Sequence, residues 1–182
     1  MMIEIGYIGI CIFLDMVLGV LFPYDFALFQ PIFVPCLGFS AVMLVIQQKE
    51  LLNKLVLAFV AGIVFDFLNA DYFMLNSLVF MACAFLIHIW SKHISSSLLE
   101  MMILLLSIIF IKEFLIYFYM SASHLVNMSV MTWLIRYLAM TLLGNALPLL
   151  LVLWLNDIRQ TIQNRREIMR RKGEKLRWEQ IR

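Results

Sequence analysis

The sequence predicts an all-α integral membrane protein: six transmembrane helices in one compact bundle. Three observations carry this. Of the 182 residues, 64% are hydrophobic and only 14% charged, where a soluble domain carries about 25% charged residues. The apolar residues gather into six runs close to the roughly 20 residues a helix needs to cross a bilayer. The lysines and arginines of the connections lie on alternate connections, as a chain crossing back and forth requires.

The first run, 5–22, has no basic segment before it, carries Glu4 instead, and is followed by no small-residue cleavage pattern. It reads as a retained span, not a signal peptide. The second, 26–46, contains Pro31 near its start, where a missing N–H costs least. Pro35 lies one turn deeper, where a kink or carbonyls in need of partners are expected. The third apolar run, 55–68, is short; it becomes the span 51–68 if Lys54 snorkels to the interface. A tight turn, Asn69-Ala70-Asp71, leads into the fourth span, 72–90. The fifth is 98–120. The sixth, 133–155, holds Gly144-Asn145 and Pro148, a second expected kink; in both spans the prolines either shape packing or break a helix to build a site. Residues 1–155 thus form the membrane domain and 156–182 a basic tail.

Connections 47–54 and 91–97 carry Lys49, Lys54 and Lys92, connections 23–25, 69–71 and 121–132 carry no Lys or Arg, and the tail carries nine. Both termini are therefore expected to be cytoplasmic. In the tail, Leu155, Ile158, Ile162, Met169 and Leu176 fall on a thin apolar stripe. That stripe suits a helix on anionic headgroups, a dock for a cytoplasmic partner, or a simple topology anchor with a frayed end. Cys11, Cys36 and Cys83 sit in separate runs without a C-x-x-C pair, so they read as small apolar side chains.

The stretch that organises the chain is 59–77, which places Asp66 inside an apolar run. A carboxylate there costs about 2.5–3.5 kcal/mol on insertion scales, so it faces protein or water. Lys54, Ala58, Gly62, Asp66 and Ala70 share one helical stripe, small or polar throughout, against which another helix can pack closely. Cys11, Asp15 and Gly19 repeat the small–acid–small pattern. Lys112, Glu113 and Arg136 complete the charges within the spans, all in the outer half of the membrane under this topology. Charges this costly are normally paired; the expectation is that at least one acid, Asp66 foremost, lies close to Arg136 or Lys112. The cluster is then a structural device, a docking surface for a partner helix, or an outward ligand pocket.

No catalytic pattern is present. There is no H-E-x-x-H, His88 and His93 are five apart and off one face, and Ser95–Ser97 lack a G-x-S-x-G setting. No P-loop occurs. No enzyme activity, cofactor or metal is expected, and the tail lacks the interleaved aromatics of a nucleic-acid binder.

Phe29-x-Pro31, Gly62-x-x-x-Asp66, the tight turn into the fourth span and Asn145-x-x-Pro148 before a basic tail together resemble the rod shape-determining MreD family. The likeness covers nearly the whole chain, and Gly62/Asp66 with its turn is its most specific part. The family often has glycine in the turn and again four residues later, where this chain has Ala70 and Met74; Asn69 is then the expected carrier of a left-handed conformation. The resemblance implies a bundle similar to the substrate-binding components of energy-coupling-factor transporters. It also implies a non-enzymatic scaffold in the bacterial cytoplasmic membrane. The implied partners are an MreC-like bitopic protein, an MreB-like filament and a peptidoglycan polymerase with its transpeptidase. The rival expectation is a substrate-binding component of a vitamin or small-molecule transporter.

Overall fold

A computed structural model describes residues 2–22, 33–69, 74–91, 97–126 and 128–179. The described residues are helical with short connections: α1 (Met2–Leu21), α2 (Leu37–Ile46), α3 (Leu51–Asn69), α4 (Leu75–Trp90), α5 (Leu98–Ala122), α6 (Val130–Trp133) and α7 (Ala139–Glu179). A π-helical turn, Leu134–Leu138, joins α6 to α7 without a break. Among the described residues, four helices are long and apolar enough to cross a membrane: α1, α3, α5 and the composite Val130–Arg171. The apolar helices α2 and α4 are shorter, at 10 and 16 residues.

The core is built around α2. Every residue from Cys36 to Ile46 is buried, and α2 touches α1, α3, α4, α5 and α7. Its sequence, Leu-Gly-Phe-Ser-Ala-Val-Met-Leu-Val-Ile, is apolar on all sides, which suits complete enclosure. The one hydroxyl, Ser40, donates to the Cys36 carbonyl at 2.7 Å. Phe39 meets Phe80 of α4 edge-on, with ring centroids 4.8 Å apart.

The second predicted span, 26–46, requires correction. Residues 33–36 are not helical, and the helix starts at Leu37. Pro35 therefore precedes the helix and does not kink it. The reason is local: a proline pushes the residue before it out of the helical region and offers no N–H of its own. Pro31 and residues 23–32 lie outside the described residues.

The third span begins at Leu51, as the sequence suggests, but Lys54 does not snorkel: it is only 3% exposed. Lys54, Ala58 and Gly62 are all buried on the stripe expected to pack closely, and α3 and α4 form the most extensive helix pair in the bundle. Asn69 is helical, so the left-handed residue is another one. Met74 takes it, with φ 63° at the N-cap of α4. A non-glycine side chain in this region costs about 1–2 kcal/mol, partly offset by glycine's greater freedom in the unfolded chain. Met74→Gly is therefore expected to stabilise the purified protein by up to about 1 kcal/mol. A lower thermal midpoint in detergent for this variant would contradict the assignment.

The fifth helix matches its predicted 98–120 to within two residues. The sixth element runs further than 133–155. It starts at Val130 and continues as α7 through Pro148 to Glu179. At 1.5 Å per residue, α7 alone is roughly 60 Å long. Its middle is tied to α1: the Tyr7 hydroxyl donates to the Val152 carbonyl at 3.1 Å, and the Arg159 guanidinium lies 5.4 Å from the Tyr7 ring centre. At the same end of the bundle, Lys49 pairs with Glu4 at 3.2 Å, and the Gln163 amide reaches Glu4 at 3.5 Å. This partly exposed pair is worth only about 0–1 kcal/mol, so it aligns the helix ends more than it stabilises them.

Candidate functional site

The polar interior is built by three acids, each on the first helix of a sequential pair. Asp15 on α1 serves α2, Asp66 on α3 serves α4, and Glu113 on α5 serves the segment that leads into α7.

Asp15 accepts the Leu37 N–H on Oδ1 and the Gly38 N–H on Oδ2, both at 2.7 Å. A helix start leaves its first amides without intrahelical partners and carries partial positive charge. Because α2 starts inside the bundle, water cannot supply the missing acceptors, and a carboxylate answers both needs at once. Gly38 makes room for it: a Cβ there would stand 2.8 Å from Ile12 Cγ1 and 3.0 Å from Asp15 Oδ2.

Asn145 completes this cap from α7. Its Oδ1 accepts the Cys36 N–H at 2.9 Å, and its Nδ2 donates to the Val34 and Thr141 carbonyls, each at 2.8 Å. Asn145 is fully buried and uses three of its four hydrogen-bonding positions in this way. The sequence marks it as a helix-shaping residue beside Pro148; its actual task is to bind the non-helical segment 33–36 to α7.

Lys112 and Glu113 lie against the same segment. Lys112 Nζ is 2.7 Å from Glu113 Oε1, and 3.5 Å from Cys36 Sγ. It also sits 5.5 Å from the Phe39 ring centre, within cation–π range. The Tyr137 hydroxyl donates to Glu113 Oε2 at 2.8 Å. Tyr137 belongs to the π-helical turn, and such turns recur where a helix must re-aim a side chain. Arg136 is next to it in that turn, half-buried.

Asp66 stands apart from this group. Its Oδ1 accepts the Asn76 N–H at 2.9 Å, and its Oδ2 accepts the Ser77 N–H at 3.2 Å and the Ser77 hydroxyl at 2.7 Å. The expected pairing of Asp66 with Arg136 or Lys112 is therefore corrected: the start of α4 takes Asp66, and Glu113 takes Lys112. Bare amide dipoles next to the acid on the following helix outcompete a distant cation that already has a carboxylate beside it. Gly62, one turn earlier, makes the contact possible. A Cβ there would stand 2.3 Å from Ser77 Cα and 2.7 Å from Ser77 N.

Of the residues singled out in the sequence, the structure thus gathers Asp15, Lys112, Glu113 and Asn145 around residues 33–38. Gly62 and Asp66 form a second centre at the α3–α4 junction. Pro35 lies in the clasped segment, and Pro148 lies within α7. Sequence reasoning misses Tyr137 and Ser77, and it notes Met74 but gives the left-handed conformation to Asn69. Tyr137 has one available signal, a hydroxyl next to the intramembrane Arg136. The small–acid stripe on α1 holds for Cys11 and Asp15 but ends before Gly19, whose Cβ direction is open.

Chemically, the arrangement holds helix starts and one ion pair in a low-dielectric interior. Among the described residues, no group of three His, Cys, Asp or Glu is placed to hold a metal ion. The cysteines are free and buried. Comparison with family models, with curated proteins and with solved structures finds no match to this chain.

Proposed function

We propose that this chain is a non-enzymatic membrane scaffold of the bacterial cell-elongation complex, of the kind the resemblance to MreD implies. Six helices cross or enter the cytoplasmic membrane, with both chain ends on the cytoplasmic side. The bundle holds a single-span MreC-like protein against its apolar outer surface and thereby helps to place wall-synthesis enzymes; inside the cell it stands over an MreB-like filament. The carrying observation is that the interior acids are consumed by the chain's own helices. Asp15 and Asn145 fill the start of α2, and Asp66 fills the start of α4.

The same observation weighs against the transporter reading. Transporters that use broken helices leave the helix starts open for an anionic group of the substrate. Here a carboxylate of the protein occupies that position in α2. Met74 adds a local point in favour of the resemblance. The family often has glycine there, and this chain adopts a conformation that glycine accepts without strain.

Affinity purification from mild-detergent membranes tests the proposal. A bitopic extracytoplasmic protein arriving with wall-synthesis enzymes is the expected result. An ATP-binding-cassette module with a coupling subunit would overturn it in favour of transport. Asp66→Leu gives a finer reading when protein level and cell width are followed together. Loss of the protein itself is expected, because α4 would then start with two unpartnered amides in the interior. Normal level with normal shape would remove Asp66 from both the fold and the function.

A further inference from the structure

The part of α7 beyond the bundle carries an apolar stripe with basic flanks. Ile158, Ile162 and Met169 are spaced by four and seven residues and share one face. Ile158 and Ile162 are partly covered, at 37% and 40% exposed, and Met169, further along, stands clear of the bundle at 73%. Arg165 and Arg166 lie three and four residues after Ile162 and so flank the stripe on its two sides; Arg170 extends the Arg166 side. All three arginines are exposed. Glu167, five residues after Ile162, is on the opposite face, together with the exposed Arg171 four residues later.

An apolar stripe between two basic edges, with Glu167 turned away, fits the boundary between acyl chains and anionic headgroups. Apolar side chains enter that boundary while arginines snorkel to phosphates on either side. A solvated rod gives no reason for both flanks of the stripe to be basic. Pairing with a second copy would bring Arg165 and Arg166 of both chains into the seam, where like charges repel. We infer that the segment of α7 after Gln163 is an interfacial helix that binds anionic lipid of the membrane in which the chain is anchored. Its occupant is the headgroup layer, reached as the helix leaves the level where Gln163 meets Glu4. The inference does not depend on the elongation-complex reading.

The test uses the full chain in vesicles. The native cysteines are buried, so a water-soluble thiol reagent marks an introduced cysteine, with wild type as the blank. A polarity-sensitive fluorophore is placed at Met169→Cys on the stripe and, in a second protein, at Glu167→Cys on the opposite face. Quenching by neutral acrylamide is compared in phosphatidylcholine vesicles and in phosphatidylcholine mixed with phosphatidylglycerol. Position 169 should be quenched severalfold less than position 167 in the anionic vesicles only. Arg165→Glu/Arg166→Glu should abolish the difference. Equal quenching of both positions in anionic vesicles would show a solvated helix and overturn the inference. Shielding of position 169 that persists in pure phosphatidylcholine and in detergent would overturn it too, since protein and not lipid would then cover the stripe.

Discussion

Gly62→Ala should disrupt the protein more than any other addition of a single methyl group. The new Cβ would stand 2.3 Å from Ser77 Cα, with Ser77 N and the Asn76 carbonyl oxygen also within 3 Å. These are backbone atoms of the first turn of α4, so no side chain can rotate away. Either α4 shifts and loses the Asp66 cap, or α3 bends. Overpacking typically costs about 1–3 kcal/mol, and an obstruction made of backbone places this case at or above the upper end. The control comes from the same chain. A methyl group added at Gly6 or Gly9 of α1 would meet nothing within 4 Å, and alanine there should be neutral or stabilising by up to about 1 kcal/mol through helix propensity. Thermal unfolding of the three variants in one detergent decides the matter. A Gly62→Ala midpoint equal to that of Gly6→Ala would mean that α3 and α4 are not in the contact described.

The second large effect concerns Lys112 and Glu113. Glu113 is 2% exposed and Lys112 is 9% exposed. Removing one partner of a buried pair leaves an uncompensated charge, at a cost of about 3–5 kcal/mol. Glu113→Leu should therefore be severely destabilising, since it strands the ammonium beside Cys36 and frees the Tyr137 hydroxyl as well. Lys112→Met should cost less than Glu113→Leu, because Tyr137 still donates to the carboxylate that remains. The double variant should recover much of the loss, as replacing buried pairs by apolar residues is often neutral or better. Stabilities of the two singles and the double, read as a cycle, give the coupling directly. Additive losses would show that the two charges act independently despite their 2.7 Å contact.

Much of this is legible in the sequence. Helix count, the start of α3 at Leu51 and the close-packing stripe through Ala58, Gly62 and Asp66 follow from hydropathy and from residue size at four-residue spacing. The position of α2 does not. Leu37–Ile46 is as apolar as a lipid-facing segment, and hydropathy cannot distinguish enclosure by lipid from enclosure by protein. The partners of the acids escape sequence reasoning for a related cause. Pairing charge with charge considers side chains alone, whereas the strongest unmet need in the interior belongs to backbone amides. Those amides exist only because α2 and α4 start where they do. Lys54 misleads in the opposite direction, since its long stem permits snorkelling but does not require it. Met74 stands out as a departure from glycine, yet its left-handed backbone depends on how α3 turns into α4, which spacing does not encode.

The order of the three acids along the chain bears on how the protein is made. Asp15 and Asp66 each precede the groups that satisfy them, Leu37 and Gly38 for the one and Asn76 and Ser77 for the other, while Glu113 precedes Tyr137 but already has Lys112 next to it. During synthesis, α1 and α3 reach the insertion machinery with an unsatisfied carboxylate, whereas α5 brings Lys112 beside Glu113. Each of α1 and α3 becomes comfortable in lipid only when the second helix of its pair arrives. Release of helices one at a time would expose that group to hydrocarbon, whereas release in twos would not. The expected consequence is that α1 with α2 and α3 with α4 leave the translocation channel as hairpins, with Asp15 and Asp66 retaining the first helix until its partner emerges. Ribosome-stalled chains ending just after α1 or α3 should accordingly stay beside the channel, and chains ending just after α2 or α4 should move into the bilayer.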